Sequence, residues 1–308
     1  MKNRTNKYTL GLSLALLLVI ILFAVLISSN TKKSHSTPLK IVAAENFWGS
    51  LVSQLGGNKV KVRSIVSDPN ADPHEYESSS VDARSYASSD YVIENGAGYD
   101  SWSDKLLSAN SSTSRKVLNV AALLGKKDGD NPHFWYNPAY VNKVVKSMES
   151  DLISLDAKDK SYFENNYNNL RRGLAVYQDR INVIKHQYSG VKVAATEDIF
   201  KYLADAAGLN LISPAPFMQA ISEGNDPPTD SVTTFEQQIN ANLPKLLVYN
   251  TQTITPITVN IKKMAVANNI PVIGISETIL PASARFQDWM NSEIILLQDG
   301  LAVSNVGH

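Results

Sequence analysis

From Leu39 onward, short β-branched runs alternate with stretches of helical spacing, the pattern of βα units on a parallel sheet. The first four runs are Lys40–Ala44, Val60–Val66, Tyr91–Glu94 and Lys116–Val120. Four more follow much later, at Val191–Ala195, Asn210–Ile212, Lys245–Tyr249 and Pro271–Ile275. Between the two sets, Phe163, Tyr167, Leu170, Leu174, Tyr177, Ile181, Ile184 and Tyr188 recur at alternating spacings of four and three. No proline interrupts Ser161–Gln187, and the single Gly173 is tolerable, so the spacing predicts one helix of roughly 40 Å. Its narrow apolar stripe suits a helix lying along two lobes. A coiled coil fits less well, because opposed charges beside the stripe are lacking. The expected fold class is α/β: two lobes, each a mostly parallel sheet flanked by helices, joined by one long backbone helix. The expected limits are 38–155 for the N-terminal lobe, 156–190 for the linking helix and 191–308 for the C-terminal lobe.

Residues 1–37 read as a targeting segment and tether, outside the fold. Lys2, Arg4 and Lys7 precede an apolar run from Leu10 to Ile27, about the length that spans a bilayer. The exit Leu26-Ile27-Ser28-Ser29 is a poor version of a small-x-small cleavage site. The expectation is an uncleaved anchor ahead of a cleaved signal, with the remaining chain outside the cytoplasm in both cases.

Composition removes several chemistries. There are 29 basic and 29 acidic residues, and basic residues do not cluster beyond the first segment, which argues against nucleic acid as a partner. Cysteine is absent, and with it disulfides, thiolate metal sites, cysteine nucleophiles and thioether lipid attachment. Apolar content of 44% supports a sizeable core.

Two of the five histidines occupy proline-stiffened loops of similar grammar. His74 lies in Asp-Pro-His-Glu-Tyr-Glu after the second run, and His133 in Asn-Pro-His-Phe-Trp-Tyr-Asn-Pro after the fourth. Alone, either could be an ordinary loop residue. Together, at equivalent strand ends of one lobe, they suit a metal site at the ligand-binding edge of a parallel sheet. In the second lobe, Glu197 and Glu277 each end a strand. An acid in such a place is also a routine helix N-terminal residue.

These residues carry a family resemblance. His74 and His133 in their loops, Asn95-Gly96-Ala97-Gly98-Tyr99-Asp100-Ser101-Trp102, Glu197 before Phe200-Lys201-Tyr202-Leu203, and Pro271–Thr278 follow one another in order. The chain resembles the zinc- and manganese-specific solute-binding proteins of ABC importers, those with a rigid backbone helix. That resemblance implies His74, His133, Glu197 and Glu277 as metal ligands and Zn2+ or Mn2+ as the transported ion. It also implies an ABC permease and its ATPase as partners, a monomer, and no catalysis. Glu277 departs from the Asp that many members carry. Asn131 and Asn137 stand where Asp is common, keeping an acceptor near His133 but dropping its charge. The His-rich loop of many zinc members is missing from Lys126–Asn131.

Two imidazoles and two carboxylates balance a divalent charge. Carboxylate oxygens suit manganese and imidazoles suit zinc, so the donor set leaves the ion open. The rival readings are a metal-dependent surface adhesin, for which no motif appears, and a metal-dependent hydrolase. The hydrolase lacks a His-Glu-x-x-His helix or a Gly-x-Ser-x-Gly elbow. The acidic stretch Ser222–Asp230 reads as a solvated loop that could also flank a cleft.

Overall fold

The structure is a computed structural model that describes residues 37–68 and 76–306, with side chains to 303. The apolar run 10–27 lies outside the described residues. Among the described residues, no helix is long and apolar enough to cross a membrane.

The first sheet is built from β1 (Leu39–Glu45), β2 (Val60–Val66), β3 (Tyr91–Glu94) and β4 (Lys116–Asn119). The second is built from β5 (Lys192–Ala195), β6 (Asn210–Leu211), β7 (Leu247–Asn250) and β8 (Val272–Ile275). Every pairing is parallel, and the spatial orders are β2-β1-β3-β4 and β6-β5-β7-β8. The two lobes therefore repeat one topology. In each, the order reverses beside the first strand, and parallel sheets bind ligands at the carboxyl ends beside such a reversal. The predicted runs match the strands closely, with one shift that matters: β7 begins two residues later than expected and takes in Asn250.

Local chemistry explains the main helix starts. Helix α1 (Asn46–Gly56) follows β1 directly, and α2 (Ser80–Ala87) opens on a capping box between Ser79 and Asp82. Helix α3 (Ser101–Ala109) makes the last crossover of the first sheet, and α4 (Val120–Leu124) follows β4. Asn137 accepts from the backbone N–H groups of Ala139 and Tyr140, capping α5 (Pro138–Leu155), whose first residue is proline. Asn137 thus serves the helix start, whereas the sequence suggested an acceptor beside His133.

The long helix α6 runs from Lys160 to Tyr188, 29 residues, one beyond the predicted span at each end. Phe163, Leu170, Leu174, Tyr177, Ile181 and Ile184 are buried. Tyr167 and Tyr188 are half-buried and pack against the core, and Lys146 and Arg171 lie over the Tyr167 ring. Gly173 has a use: a Cβ there would come within 3.3 Å of the Gln287 side chain, so its absence lets α11 (Phe286–Val306) approach closely.

Before α11 come α7 (Lys201–Ala206), α8 (Ala215–Ser222), α9 (Thr229–Asn240) and α10 (Pro256–Ala267). Thr255 and Thr258 form the capping box of α10. Helix α11 buries Phe286, Trp289, Met290, Ile294, Leu297 and Leu301 at helical spacing, an element the strand-by-strand reading leaves out. One apolar core runs without a break from the first sheet, through α1, α5 and α6, to α11 and the second sheet.

Candidate metal centre

Two of the residues singled out by sequence, Glu197 and Glu277, lie at the carboxyl edge of the second sheet, and His133 meets them there. The three are buried, and one donor atom from each falls within 4.8 Å of the others. His74 lies outside the described residues; Tyr76, two positions on, lines the cavity in front of the cluster.

His133 is held by its own loop. Asn131 Oδ1 accepts from the His133 backbone N–H at 2.9 Å and lies 3.0 Å from ring Nδ1, while Asp198 Oδ1 lies 3.2 Å from the same nitrogen. Two acceptors around Nδ1 place the ring proton there, so Nε2 presents its lone pair. Nε2 faces Glu197 Oε1 at 3.5 Å and Glu277 Oε2 at 4.0 Å. The Asn131 amide also donates to the Asp198 carbonyl at 2.7 Å, and Tyr202 OH donates to the Asn131 carbonyl at 2.9 Å. These bonds join the first lobe's histidine loop to the second lobe. Asn131 therefore keeps the acceptor role expected near His133, and the neighbouring Asp198 supplies an anionic oxygen.

Glu197 precedes a 3-10 turn, Asp198–Phe200, yet its side chain makes no capping bond. Its carboxylate turns inward instead, where Oε2 accepts from Asn250 Nδ2 at 2.8 Å. That geometry removes the helix-start reading of this acid. Glu277 is fixed at backbone and side chain. Its N–H, with that of Thr278, donates to Gln252 Oε1 at 2.8 and 2.9 Å. Glu277 Oε1 accepts from Asn250 Nδ2 at 2.6 Å, and Oε2 accepts from Tyr99 OH at 2.7 Å.

Two residues of this network carried no sequence signal of their own. Tyr99 lies in the Gly-rich segment that marks the resemblance, but nothing there tied it to Glu277. Asn250 ends a strand, where asparagine is unremarkable. The cluster lies behind an open cavity of about 890 Å³, screened from it by Tyr99, Asn131 and Thr253. Ser222, Glu223 and Gly224 reach the rim of that cavity, and the stretch Glu223–Asp226 is exposed. The acidic segment is thus both solvated and beside the cleft.

A second group of acids is buried at the carboxyl end of the first sheet. Burial and the facing Asp100 carboxyl hold Glu45 well above the usual carboxylate range. Burial also pushes Glu94 up to about 7, against hydrogen bonds from Ser103 and Asn119 that pull it down. Asp100 accepts from the backbone N–H groups of Asn95 and Gly96 at 2.6 and 2.8 Å, so these acids brace the loop that carries Tyr99.

Two lobes of parallel sheet and one linking helix define a bilobed α/β protein, with a buried His-Glu-Glu cluster whose donor atoms lie close enough together that they could hold a cation. Residues 41–300 match the family described as ZnuA, zinc-uptake complex component A, periplasmic, and the chain belongs to that family. The manganese ABC transporter substrate-binding lipoprotein PsaA of Streptococcus pneumoniae is 25% identical over 285 residues, 84% of this chain and 87% of that protein. The iron ABC transporter substrate-binding lipoprotein MtsA of Streptococcus pyogenes serotype M1 is 25% identical over 256 residues, 77% of this chain and 80% of that protein. The solved structure of FpvC from Pseudomonas aeruginosa with Mn2+ shares the fold at a TM-score of 0.71 and 17% identity, covering 87% of this chain and all of that one. The crystal structure of ZnuA does so at 0.68 and 19%, covering 85% and 99%.

Proposed function

We propose that this protein captures a divalent transition metal, Zn2+ or Mn2+, outside the cytoplasm and delivers it to an ABC permease driven by its ATPase. The ion is cargo, and no catalytic step is assigned to the chain. His133, Glu197 and Glu277 hold it, joined by His74. The observation that carries this reading is the convergence of three buried donors from both lobes on one point. Two carboxylates this deep are costly beside each other, and a divalent cation balances both. Relatives named for manganese and iron, within a family described for zinc, support the substrate class. We assign residues 38–155 and 191–308 to the two lobes and 156–190 to the link, and take the protein to act as a monomer.

The test is chelator-competition titration of the purified protein with Zn2+ and Mn2+. His133→Ala should lose at least about 100-fold in affinity, the upper range for disturbing a metal site from outside its ligands, while its metal-free melting curve stays cooperative. His74→Ala should do the same, with Glu277→Gln a smaller loss. Titration of both histidine variants like the parent would sink the assignment.

A further inference from the structure

We propose that Asp198 is a positioning residue for the metal: it backs His133 from the opposite lobe, so that the ion is held tightly only while the lobes touch at this point. The proposal rests on the metal-binding reading above. Glu197 and Asp198 follow β5 in succession and address opposite edges of one imidazole. Glu197 Oε1 lies 3.5 Å from Nε2, on the side where the donors converge, and Asp198 Oδ1 lies 3.2 Å from Nδ1, behind the ring. Asp198 Oδ1 is buried, and among the described residues no donor besides this ring reaches it.

Asn131 cannot do the same work alone. Its amide nitrogen donates to the Asp198 backbone carbonyl, which only accepts, so its Oδ1 must be the atom facing the histidine. That one oxygen is already shared between the His133 backbone N–H at 2.9 Å and Nδ1 at 3.0 Å. It is also neutral. A cation on Nε2 draws electrons from the ring and makes Nδ1–H a stronger donor. A carboxylate answers that demand better than an amide, since hydrogen bonds to ionised acceptors are roughly twice as strong as neutral ones. The Asp198 side chain is 18% exposed, so it keeps its charge at less cost than the fully buried Glu197 and Glu277.

These contacts all cross between the lobes. Asn131 and His133 belong to the loop before α5, whereas Asp198 and Tyr202 belong to the segment from β5 into α7. Tyr202 OH donates to the Asn131 carbonyl at 2.9 Å and completes the dock. A shift of the histidine loop away from β5 breaks the Asn131 and Tyr202 bonds and parts the ring from its carboxylate in one step. The donor strength of Nε2 is thereby tied to contact between the lobes. A partner that draws this loop away weakens the site without touching the ion.

The experiment uses the purified protein with Zn2+ as the probe, in chelator competition and in rapid-mixing release. Asp198→Asn keeps the size of the side chain and leaves the backbone carbonyl that receives Asn131, so only the charge goes. Zinc affinity should fall by about 10–100-fold, as for other residues that support a metal-bound histidine. The metal-free melting curve should not move. In proton spectra of the zinc-loaded protein with isotope-labelled histidine, the His133 Nδ1–H signal should lie far downfield and move upfield in Asp198→Asn. Asp198→Ser gives the same readings if the asparagine variant does not fold. Tyr202→Phe loosens the dock but keeps the charge, and should cost about two- to tenfold, the worth of one hydrogen bond. Removing the Asp198 charge in that background should cost at least about threefold less than in the parent, because both changes act through one contact. A folded Asp198→Asn with the parent's affinity, or with an unmoved Nδ1–H signal, overturns the role of Asp198. Strict additivity of the two changes overturns the tie to lobe contact. A parent that binds no zinc overturns the metal-site reading itself.

Discussion

Glu94 shows how a single side chain ties stability to pH here. It ends β3 and faces Ser103, Asn119, Asp100 and Asp104, with Glu45 and Tyr86 in the same buried pocket. Burial raises its pKa from 4.5 to about 7, so between those values the native protein binds more protons than the unfolded chain. Stability therefore falls as pH rises through that window, by an amount on the order of 3 kcal/mol from this group. Glu94→Gln removes the titration while keeping the shape. Urea melts of metal-free protein should show the parent losing ground to this variant between about pH 5 and pH 8. A constant difference across that range would place Glu94 in a wetter environment than the structure shows. His133, Glu197 and Glu277 were legible because proline-bounded loops and strand-end acids have a recognisable grammar. Asn250 was not, because its meaning depends on β7 lying between β5 and β8, and spatial strand order is not written in the order of the strands along the chain.

At the scale of elements, the strands were legible because β-branched runs bounded by turn residues leave few alternatives. The long helix was legible because its stripe runs unbroken. Helix packing was less so, since it depends on which small residues meet which neighbours. Gly56, the last residue of α1, is an example. A Cβ there would fall 2.3 Å from both methyl groups of Val60 and 2.8 Å from its Cβ, where β2 begins. Its φ of −80° is ordinary for any residue, so the demand for glycine is one of space alone. Val60 is branched at Cβ and leads a paired strand, so it cannot swing aside. Gly56→Ala should cost about 1–3 kcal/mol in chemical denaturation, the usual range for overpacking, with metal affinity unchanged. A variant as stable as the parent would mean that α1 and β2 have room to separate.

The tether and the closure belong to the whole molecule. PsaA and MtsA are named as lipoproteins, but this sequence contains no cysteine to carry a thioether lipid. We propose that the apolar run 10–27 retains the protein at the membrane; its burial in a bilayer is enough for lasting attachment if uncleaved. Intact-mass analysis of membrane-extracted protein should find that run present. A mature species beginning near Asn30 and found in the medium would overturn the anchored arrangement.

Closure is constrained by how firmly the two lobes are already joined. Helix α6 is about 40 Å of continuous backbone and packs along α5, α1 and α11. Three polar residues of α1, four apart, reach across to the C-terminal part of the chain. Asn46 Oδ1 accepts from the Ile279 N–H at 3.1 Å, Ser50 Oγ accepts from the Phe286 N–H at 3.0 Å, and Gln54 exchanges two amide bonds with Gln287. Nearer the site, Tyr99 bonds Glu277 and Tyr136 OH donates to the Ser276 carbonyl at 2.7 Å. A wide hinge motion would break most of these buried bonds together, and one bound ion offers few contacts to replace them. Metal capture should instead draw in donors by small loop shifts around a fixed frame. Solution scattering should give a radius of gyration of roughly 19 Å that changes by less than about 1 Å when Zn2+ is added, the scale of movement in preorganised complexes. A compaction of several ångströms would mean that the lobes part in solution. In that case the α1 to α11 bonds, rather than the long helix, would be the contacts that open.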